Sequence, residues 1–306
     1  MKIAVIGGAG AMGSAIGGQL AQGGADVTLL DVSREAVEAI NTKGLQIDDK
    51  SGESRTISVP ATTDPAEIGP VDVALVFTKC YHTESAVRGA APLIGDNTVV
   101  LSLQNGWGNA PRIANIVGEE RVLVGVTYHS ATVLGPGHIM HAGKGMTYIG
   151  ELNGQMSDRL NRIVETFNTA GIETTPTNKV LETIWSKLAL NVCTLPTASL
   201  LRFFAGQLIE HDGTLELMRA LLREVVMVAN AQNIALDFDE RWESITGLLG
   251  RASGAKASML QDVENRRRTE IEVINGAIVE AGRRLNIPTP YNDAMVWLIK
   301  ALEETF

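Results

Sequence analysis

The sequence predicts an α/β fold, with a doubly wound, mostly parallel sheet in the N-terminal half and an all-helical C-terminal domain. Two observations carry this prediction. Up to about residue 176, short β-branched runs alternate with segments of helical periodicity. Beyond about residue 178, long helical periodicity continues with few strand signals. A Thr-rich turn around Pro176 separates the two patterns, so we expect a sheet domain over residues 1–176 and a helical domain over residues 177–306.

The elements of the N-terminal half alternate along the chain, which indicates parallel pairing of the strands. We expect strands at residues 2–6, 26–30, 71–78, 98–103 and 121–127. We expect helices at residues 11–22, 33–42 and 82–94, and a hairpin at residues 44–59. Two further strand-like pieces, residues 137–141 and 146–150, would extend the sheet or cap its edge.

In the C-terminal half, the periodicity predicts helices that are separated by prolines. The expected helices span residues 179–190, 214–231, 239–249, 263–285 and 291–304. Pro196, Pro288 and Pro290 mark breaks between them, because proline lacks the amide hydrogen that a helix interior needs.

A glycine pattern follows the first predicted strand and opens the first predicted helix. The pattern is Gly8-x-Gly10-x-x-Gly13, with Ala11 and Met12 inside it. Gly8 suits a tight turn, Gly10 lets backbone approach a pyrophosphate, and Gly13 lets the helix pack closely on its strand. The phosphates of a dinucleotide would then lie at the helix N-terminus. This context predicts a Rossmann-type dinucleotide-binding unit.

The nature of the dinucleotide depends on the end of the second strand. Asp31 lies there, about 20 residues beyond the glycine pattern, where a carboxylate binds the ribose hydroxyls of the adenosine. A carboxylate at that position repels a 2′-phosphate, which favours NAD. Ser33 and Arg34 could still hold such a phosphate, so NADP remains the alternative.

Composition excludes several classes of partner. The 306 residues carry a net charge of −9, which argues against nucleic acid or an anionic membrane as partner. No apolar run approaches the roughly 20 residues of a membrane span. Cys80 and Cys193 are the only cysteines, so we expect no disulfide framework, no metal site and a cytoplasmic location.

A polar stripe on one predicted helix offers a proton donor. A nicotinamide enzyme leaves the hydride to its cofactor, so the protein must orient the substrate and protonate the developing alkoxide. Lys187, Asn191 and Thr194 are spaced i, i+4 and i+7 and share one helix face. We expect the substrate to lie between this helical domain and the carboxyl edge of the sheet. The alternative is a solvent-facing lysine beside an exposed asparagine.

A second polar segment contains Ser258 and Glu270. Glu270 could bind a substrate hydroxyl, or it could form an ordinary i, i+4 helix pair with Arg266. Twelve residues on a straight helix correspond to about 120° of rotation, so Ser258 and Glu270 share a site only if Ser258 precedes the helix. Asp262 is a plausible N-cap that would leave Ser258 outside.

Two loops complete the candidate site. Lys79 follows a buried strand at its carboxyl end, where it could reach a charge on the cofactor or substrate. Asn105 follows the next strand and could orient the nicotinamide or the keto group. A surface lysine and an Asn-Gly turn are the alternatives.

In this order, the motifs resemble those of the ketopantoate reductase family over essentially the whole chain. They are Gly8-x-Gly10-Ala-Met-Gly13, Thr78-Lys79, Gln104-Asn105-Gly106, Trp185-x-Lys187-Leu-x-x-x-Asn191, and Ser258-Met-Leu-Gln-Asp-Val with Arg268-Thr269-Glu270-Ile. The resemblance implies that Lys187 polarises and protonates the keto oxygen, while Glu270 holds the hydroxyl group of the substrate. It also implies that Lys79 and Asn105 border the cofactor, and that Asn191 and Ser258 contact substrate. If the cleft is dry, we expect a lowered pKa for Lys187.

The chain also departs from the family pattern. Leu195 stands where members that reduce ketopantoate commonly have asparagine, and Ala255 stands at another position where asparagine is frequent. Many members carry a basic residue near the position of Asp31. These departures favour a changed substrate within the same chemistry.

We therefore expect hydride transfer from NAD(P)H to the keto group of a small 2-oxo acid, ketopantoate to pantoate first, in pantothenate biosynthesis. The alternative in the family is an NAD-dependent D-2-hydroxy acid dehydrogenase for branched or aromatic 2-oxo acids. The Ser258 and Glu270 motif argues against a β-hydroxyacid dehydrogenase. A non-catalytic dinucleotide-sensing protein is the alternative of another class. A homodimer formed through the helical domain is expected.

Overall fold

The computed structural model describes residues 1–306 and divides into two compact units. The sheet unit comprises Met1–Gln104 and Asn109–Val180. The helical unit comprises Leu181–Phe306 and, in addition, the four residues Asn105–Gly108. A short loop of the N-terminal half therefore belongs structurally to the C-terminal unit.

The sheet unit is built around an eight-stranded sheet. Its strands are β1 (Lys2–Ile6), β2 (Asp26–Leu30), β5 (Ala61–Thr62), β6 (Val73–Val76), β7 (Val99–Ser102), β8 (Val122–Thr127), β11 (Thr147–Glu151) and β12 (Thr174–Pro176). The strand order is β12-β11-β8-β7-β6-β1-β2-β5. All neighbours pair in parallel except β8 and β11, which are antiparallel. The central strands are buried on both faces, which explains their continuous apolar sequences.

A second, four-stranded sheet completes the strands of this unit. It contains β3 (Leu45–Asp49), β4 (Ser54–Ile57), β9 (Ser130–Gly135) and β10 (His138–Gly143) in the order β4-β3-β10-β9. The expected hairpin of residues 44–59 is present as the antiparallel pair β3 and β4. Of the two later strand-like pieces, one forms β10 here and the other forms β11 in the main sheet.

Helices and strands of the sheet unit share one aliphatic core. The helices are α1 (Ala11–Gln22), α2 (Arg34–Lys43), α3 (Thr83–Gly89), α4 (Asn109–Val117) and α5 (Asp158–Thr169). Ile16 and Leu20 of α1 and Phe167 of α5 join Leu75 and Leu101 of the strands in this core. The helix expected at residues 82–94 is shorter than predicted, because it ends at Gly89 and continues as a 3-10 turn that contains Pro92.

The helical unit consists of six helices. They are α6 (Val180–Leu201), α7 (Asp212–Asn230), α8 (Phe238–Arg251), α9 (Ser258–Glu264), α10 (Asn275–Leu285) and α11 (Pro290–Glu303). The predicted fold class is thus confirmed. None of the helices combines the length and the apolar character needed to cross a bilayer.

One helix predicted from periodicity is wrong. Residues 263–285 do not form a single helix: α9 ends at Glu264, a 3-10 turn covers Ile271–Val273, and α10 starts at Asn275. Asp262 is not an N-cap, since it lies inside α9 with Ser258 as the first helical residue. Arg266, with φ of 51°, adopts the left-handed region just after α9. The rotation argument for a straight helix therefore does not apply to Ser258 and Glu270.

Candidate active site

The glycine pattern forms the loop between β1 and α1. The N–H groups of Gly7 and Gly8 both donate to the carbonyl of Leu30, over 2.9 and 3.0 Å. Gly7 has φ of +80°, so the left-handed residue of the turn is Gly7. A Cβ on Gly13 would lie 2.2 Å from the carbonyl oxygen of Gly7. This packing requires glycine at position 13 and draws the start of α1 tightly against the loop.

The first turn of α1 presents an anion-binding surface. Gly10 is the N-cap residue in an extended conformation, and no side chain caps the helix. The amides of Ala11, Met12 and Gly13 are therefore first-turn donors without acceptors inside the helix. Such donors, together with the helix dipole, suit a pyrophosphate.

Asp31 connects the end of β2 to this loop. One carboxylate oxygen accepts from the N–H of Ala9 and the other from the N–H of Ser33, each over 3.0 Å. The hydroxyl of Ser33 accepts from the N–H of Ala36 and so caps α2. Ser33 is thereby engaged in the fold, while Arg34 is exposed. The local charge beside the loop is the carboxylate of Asp31.

The carboxyl ends of β6 and β7 are held together by a glutamine. Gln104 donates from Nε2 to the carbonyl of Thr78 over 2.7 Å and to the hydroxyl of Thr83 over 2.8 Å. Its Oε1 accepts from the hydroxyl of Ser102 over 2.9 Å. Lys79, half-buried, follows Thr78 and starts a 3-10 turn. The sequence pattern showed an amide here but not its role in joining two strand ends.

In the helical unit, Lys187 of α6 contacts the loop that contains Asn105. The ammonium nitrogen of Lys187 donates to Oδ1 of Asn105 over 2.9 Å. Gly106, with φ of +80°, approaches the turn after Glu270 so closely that a Cβ would lie 2.2 Å from the carbonyl oxygen of Val273. The N–H of Trp107 donates to the same carbonyl over 2.8 Å. Backbone contacts therefore place the amide of Asn105 against the lysine.

The protonation of Lys187 is shifted by its surroundings. Burial lowers the pKa of Lys187 from 10.5 to about 8, and the negative charge of Glu270 opposes this shift. Desolvation disfavours the ammonium form, whereas a nearby carboxylate favours it. The balance gives an amine that is protonated at neutral pH and can release its proton readily.

Asn191 and Thr194 lie on α6, one and two turns beyond Lys187, and both are buried. Thr194 uses its hydroxyl within the helix, where it donates to the carbonyl of Leu190 over 2.8 Å. The structure therefore places Lys187 and Asn191 in one helix as expected, and occupies the Thr194 hydroxyl locally.

Pro196 does not mark a break between helices as predicted, since α6 continues beyond the predicted end at residue 190 and contains this proline. A buried asparagine compensates for it. Pro196 cannot donate to the carbonyl of Val192. Asn275 donates from Nδ2 to that carbonyl over 3.3 Å and to Oδ1 of Asn292 over 3.0 Å. Asn292 donates in turn to Glu224 over 2.6 Å. The helix around Asn191 is thus supported by a buried polar network.

The carboxylate of Glu224 ends this network at the N-terminus of α11. It accepts from the backbone N–H groups of Tyr291 and Asn292, each over 3.0 Å. Donors at a helix N-terminus stabilise a buried carboxylate. Sequence reasoning missed Glu224, Asn275 and Asn292, because they lie on three helices and share no local motif.

The remaining candidates lie at different places. Ser258 is exposed as the first residue of α9. Leu195 is buried one turn beyond Asn191, and Ala255 is exposed.

A Rossmann-type sheet unit with a glycine-rich loop, joined to a helical unit with a partly buried lysine, defines the class of nucleotide-dependent oxidoreductases with a separate helical domain. Comparison with known proteins narrows this class. The chain matches the family models of ketopantoate reductase PanE/ApbA over residues 3–154 and of its C-terminal domain over residues 179–303. The chain belongs to the ketopantoate reductase family, whose members are NAD(P)-dependent oxidoreductases.

Individual relatives agree with this assignment. The chain is 35% identical to a 2-dehydropantoate 2-reductase of Pyrococcus horikoshii, covering 99% of this chain and 98% of the relative. Its structure is similar to that of D-mandelate dehydrogenase with NADH and anilino(oxo)acetate, with a TM-score of 0.94, 29% identity, and coverage of 100% and 99% of the two chains. It is also similar to a PanE/ApbA family ketopantoate reductase of Ralstonia eutropha, with a TM-score of 0.91, 30% identity, and the same coverage.

Proposed function

We propose that this chain reduces the keto group of a small 2-oxo acid with NAD(P)H, and that ketopantoate is the first candidate substrate. The observation that carries the proposal is the 2.9 Å hydrogen bond from Lys187 to Asn105, made by a lysine whose pKa is lowered to about 8. Relatives named 2-dehydropantoate 2-reductase support the reaction class.

The sheet unit is proposed to bind the cofactor. The tight loop at Gly8, Gly10 and Gly13 and the first-turn amides of α1, including those of Ala11 and Met12, fit a pyrophosphate. When bound, NAD(P)H supplies the hydride. Lys79 and Asn105 are proposed to border this cofactor, as in the family pattern.

Lys187 is proposed to carry the proton step. When a keto carbon accepts a hydride, its oxygen gains negative charge, and an ammonium at hydrogen-bond distance neutralises and then protonates it. Asn105 accepts a hydrogen bond from the ammonium and so restricts its direction. Glu270 is proposed to hold a hydroxyl of the substrate, and its charge helps to keep Lys187 protonated. Asn191, Thr194 and Ser258 are the proposed further substrate contacts.

A second candidate function is an NAD-dependent D-2-hydroxy acid dehydrogenase. Leu195 lies one turn beyond Asn191 on α6 and provides an apolar side chain, which suits a branched or aromatic substituent. The similarity to D-mandelate dehydrogenase supports this candidate. It uses the same proton donor and differs in the substrate and in the favoured direction of the reaction.

One assay separates these functions. Oxidation of NADH and of NADPH is followed with ketopantoate and with branched, aromatic and short 2-oxo acids. Fast turnover of ketopantoate supports the first candidate, and turnover of aromatic or branched acids alone supports the second. Tight NADH binding without turnover of any acid would favour a dinucleotide-sensing protein instead.

We propose NAD rather than NADP as the preferred cofactor, because a carboxylate at Asp31 repels a 2′-phosphate. Asp31→Ser removes that charge. Since Asp31 also holds the N–H of Ala9, the KM for NADH should rise about tenfold, while the KM for NADPH falls. Steady-state kinetics with both cofactors measure the ratio. An unchanged ratio of the two kcat/KM values would contradict the role of Asp31.

A homodimer through the helical unit is part of the proposal. Tyr291, Trp297 and Leu298 of α11 are 50%, 65% and 49% exposed and lie near one another along the helix. Such an apolar face is typical of an interface. Light scattering should give the mass of a dimer, and Trp297→Lys should give the monomer mass, whereas Lys50→Met, a change in an exposed turn, should not.

A cytoplasmic location is also proposed. Cys80 and Cys193 are buried and are not joined in a disulfide, as expected in a reducing compartment. Cell fractionation with antibodies against the chain tests this location.

A further inference from the structure

We infer that Glu303, near the end of α11, is a positioning residue that holds the backbone on both sides of Glu270 and, through the turn that follows, the loop of Asn105. The inference rests on the proposed function, because the groups it positions are the proposed catalytic ones. Glu303 itself is not proposed to touch substrate or cofactor.

A single carboxylate oxygen of Glu303 clamps Thr269. It accepts from the N–H of Thr269 over 2.7 Å and from the hydroxyl of Thr269 over 2.6 Å. The hydroxyl oxygen of Thr269 accepts from the N–H of Ile271 over 3.2 Å. Glu270 therefore lies between Thr269, whose N–H is bound by Glu303, and Ile271, whose N–H is bound by the hydroxyl of Thr269.

The hydrogen bonds from Thr269 to Glu303 take the place of the backbone hydrogen bonds that a helix or strand would provide here. Glu270 lies outside any helix, in the segment between the end of α9 at Glu264 and the 3-10 turn Ile271–Val273. That segment contains the left-handed residue Arg266, so its path is set by specific contacts and not by a repeating pattern. Hydrogen bonds to a carboxylate are stronger than those between neutral groups. Glu303 is thus well suited to fix the segment.

The 3-10 turn that follows this segment supports Asn105, the hydrogen-bond partner of Lys187. The carbonyl of Val273 accepts from the N–H of Trp107, and it lies where Gly106 has no room for a side chain. Asn105 precedes Gly106 and accepts from Lys187. A displacement of the Glu270 segment would therefore move both the carboxylate whose charge acts on Lys187 and the amide that accepts from it.

Glu303 lies among other charged residues near the end of α11. It borders an open cavity of about 470 Å³. The other residues that line this cavity are Arg266, Arg268, Glu272, Lys300, Glu304 and Phe306. Arg268 and Lys300 pair with Glu272 over 3.1 and 3.3 Å, whereas the carboxylate of Glu303 binds Thr269. At this cavity, Glu272 thus pairs with cationic side chains, whereas Glu303 binds the backbone and the hydroxyl of Thr269.

The test compares three variants. Glu303→Ala removes the clamp, and Glu303→Gln keeps an acceptor oxygen of the same reach. Glu304→Ala changes the exposed neighbour that lines the same cavity and serves as the matched control. The pyrophosphate loop of the sheet unit is unchanged in all three variants, so nucleotide affinity should change much less than kcat/KM, with the displaced loop of Asn105 as the one source of a change in Glu303→Ala.

The first readout is kinetic. In Glu303→Ala, kcat should fall and the KM for the 2-oxo acid should rise, with kcat/KM lower by about tenfold or more, since small misplacements of catalytic groups are costly. Glu303→Gln should recover most of this loss, and Glu304→Ala should match wild type. Equal losses in the glutamine and alanine variants would overturn the inference, as would an unchanged kcat/KM in the alanine variant.

The second readout is the pKa of Lys187, measured by the pH dependence of its acylation with an amine reagent and mass spectrometry. The negative charge of Glu270 raises this pKa, so loosening Glu270 in Glu303→Ala should lower it by about half a unit. No turnover by wild type with any 2-oxo acid would remove the proposed function, whereas this measurement still decides the positioning role. A pKa equal to that of wild type in Glu303→Ala would overturn the inference alone.

Discussion

Lys187 has two features that a proton donor needs. Burial lowers its pKa to about 8, and Asn105 accepts a hydrogen bond from its ammonium. A lysine at its usual pKa would hold its proton too firmly at neutral pH, whereas a neutral amine would have none to donate. The chemistry at this residue is therefore set by its environment.

This pKa sets an expected pH dependence. In the direction of keto reduction the active form is protonated, so kcat/KM should be constant below about pH 8 and fall about tenfold per unit above it. Glu270→Gln removes a charge that raises the pKa of Lys187, so the alkaline limb should move to lower pH. Initial rates over the pH range measure both limbs. A limb at the same pH in the two proteins would contradict the coupling.

The lowered pKa of Lys187 should also make the stability depend on pH. Its pKa in the folded state, about 8, lies below the value of 10.5 for an exposed lysine, so the unfolded chain binds more protons between these values. As the pH rises from 8 to 10.5, the free energy of unfolding of wild type should therefore rise relative to that of Lys187→Met, which has no such proton to lose. Denaturant unfolding at several pH values measures this difference, with Lys50→Met as control. A difference that stays constant over this pH range would contradict the lowered pKa.

At the scale of elements, α6 carries the proposed catalytic groups through a helix that contains Pro196. The carbonyl of Val192 loses its partner at the proline and is bound by Asn275 instead. The helix on either side of Asn191 thus remains continuous from Val180 to Leu201. Buried polar groups need such partners, because an unpaired one costs about 1–3 kcal/mol.

A double-mutant cycle tests this compensation. Asn275→Ala should lower the free energy of unfolding by about 1–3 kcal/mol, because the carbonyl of Val192 is left buried and unpaired. In a Pro196→Ala background the new N–H can donate to that carbonyl, so the cost of Asn275→Ala should be smaller by about 1 kcal/mol. Urea unfolding of the four proteins measures the coupling. Strictly additive effects would show that Asn275 does not serve the proline.

Sequence patterns predicted those elements whose signals are local. The glycine loop, the strand ends at Thr78 and Gln104, and the polar face of α6 follow from short spacings, and the structure contains each of them. The break between α9 and α10 was missed because the apolar periodicity continues across residues 263–285, whereas the backbone is not helical between Glu264 and Asn275 except for a 3-10 turn. Contacts between distant positions, such as Glu303 with Thr269 and Asn275 with Val192, depend on packing that no local pattern encodes.

At the scale of the molecule, the chain is organised as two units with separate tasks. The sheet unit provides the loop proposed for the dinucleotide, and the helical unit provides Lys187, Glu270 and, through the loop Asn105–Gly108, the amide beside the lysine. The change from alternating strands and helices to continuous helical periodicity near residue 176 indicated two domains. The composition could not show that the loop Asn105–Gly108 belongs to the helical unit. The boundary at residue 176 and the roles of the site residues stay predictions.

The proposed role of Lys187 is to protonate the keto oxygen of a 2-oxo acid while the keto group is reduced. A single-turnover measurement with excess enzyme, NADH and the best 2-oxo acid of the panel tests it most directly, in wild type and in Lys187→Met. In Lys187→Met the affinity for NADH should stay within about twofold, because the dinucleotide loop is unchanged, while the rate of NADH oxidation should fall by about 10²–10⁴. A variant that oxidises NADH as fast as wild type would contradict this role of Lys187.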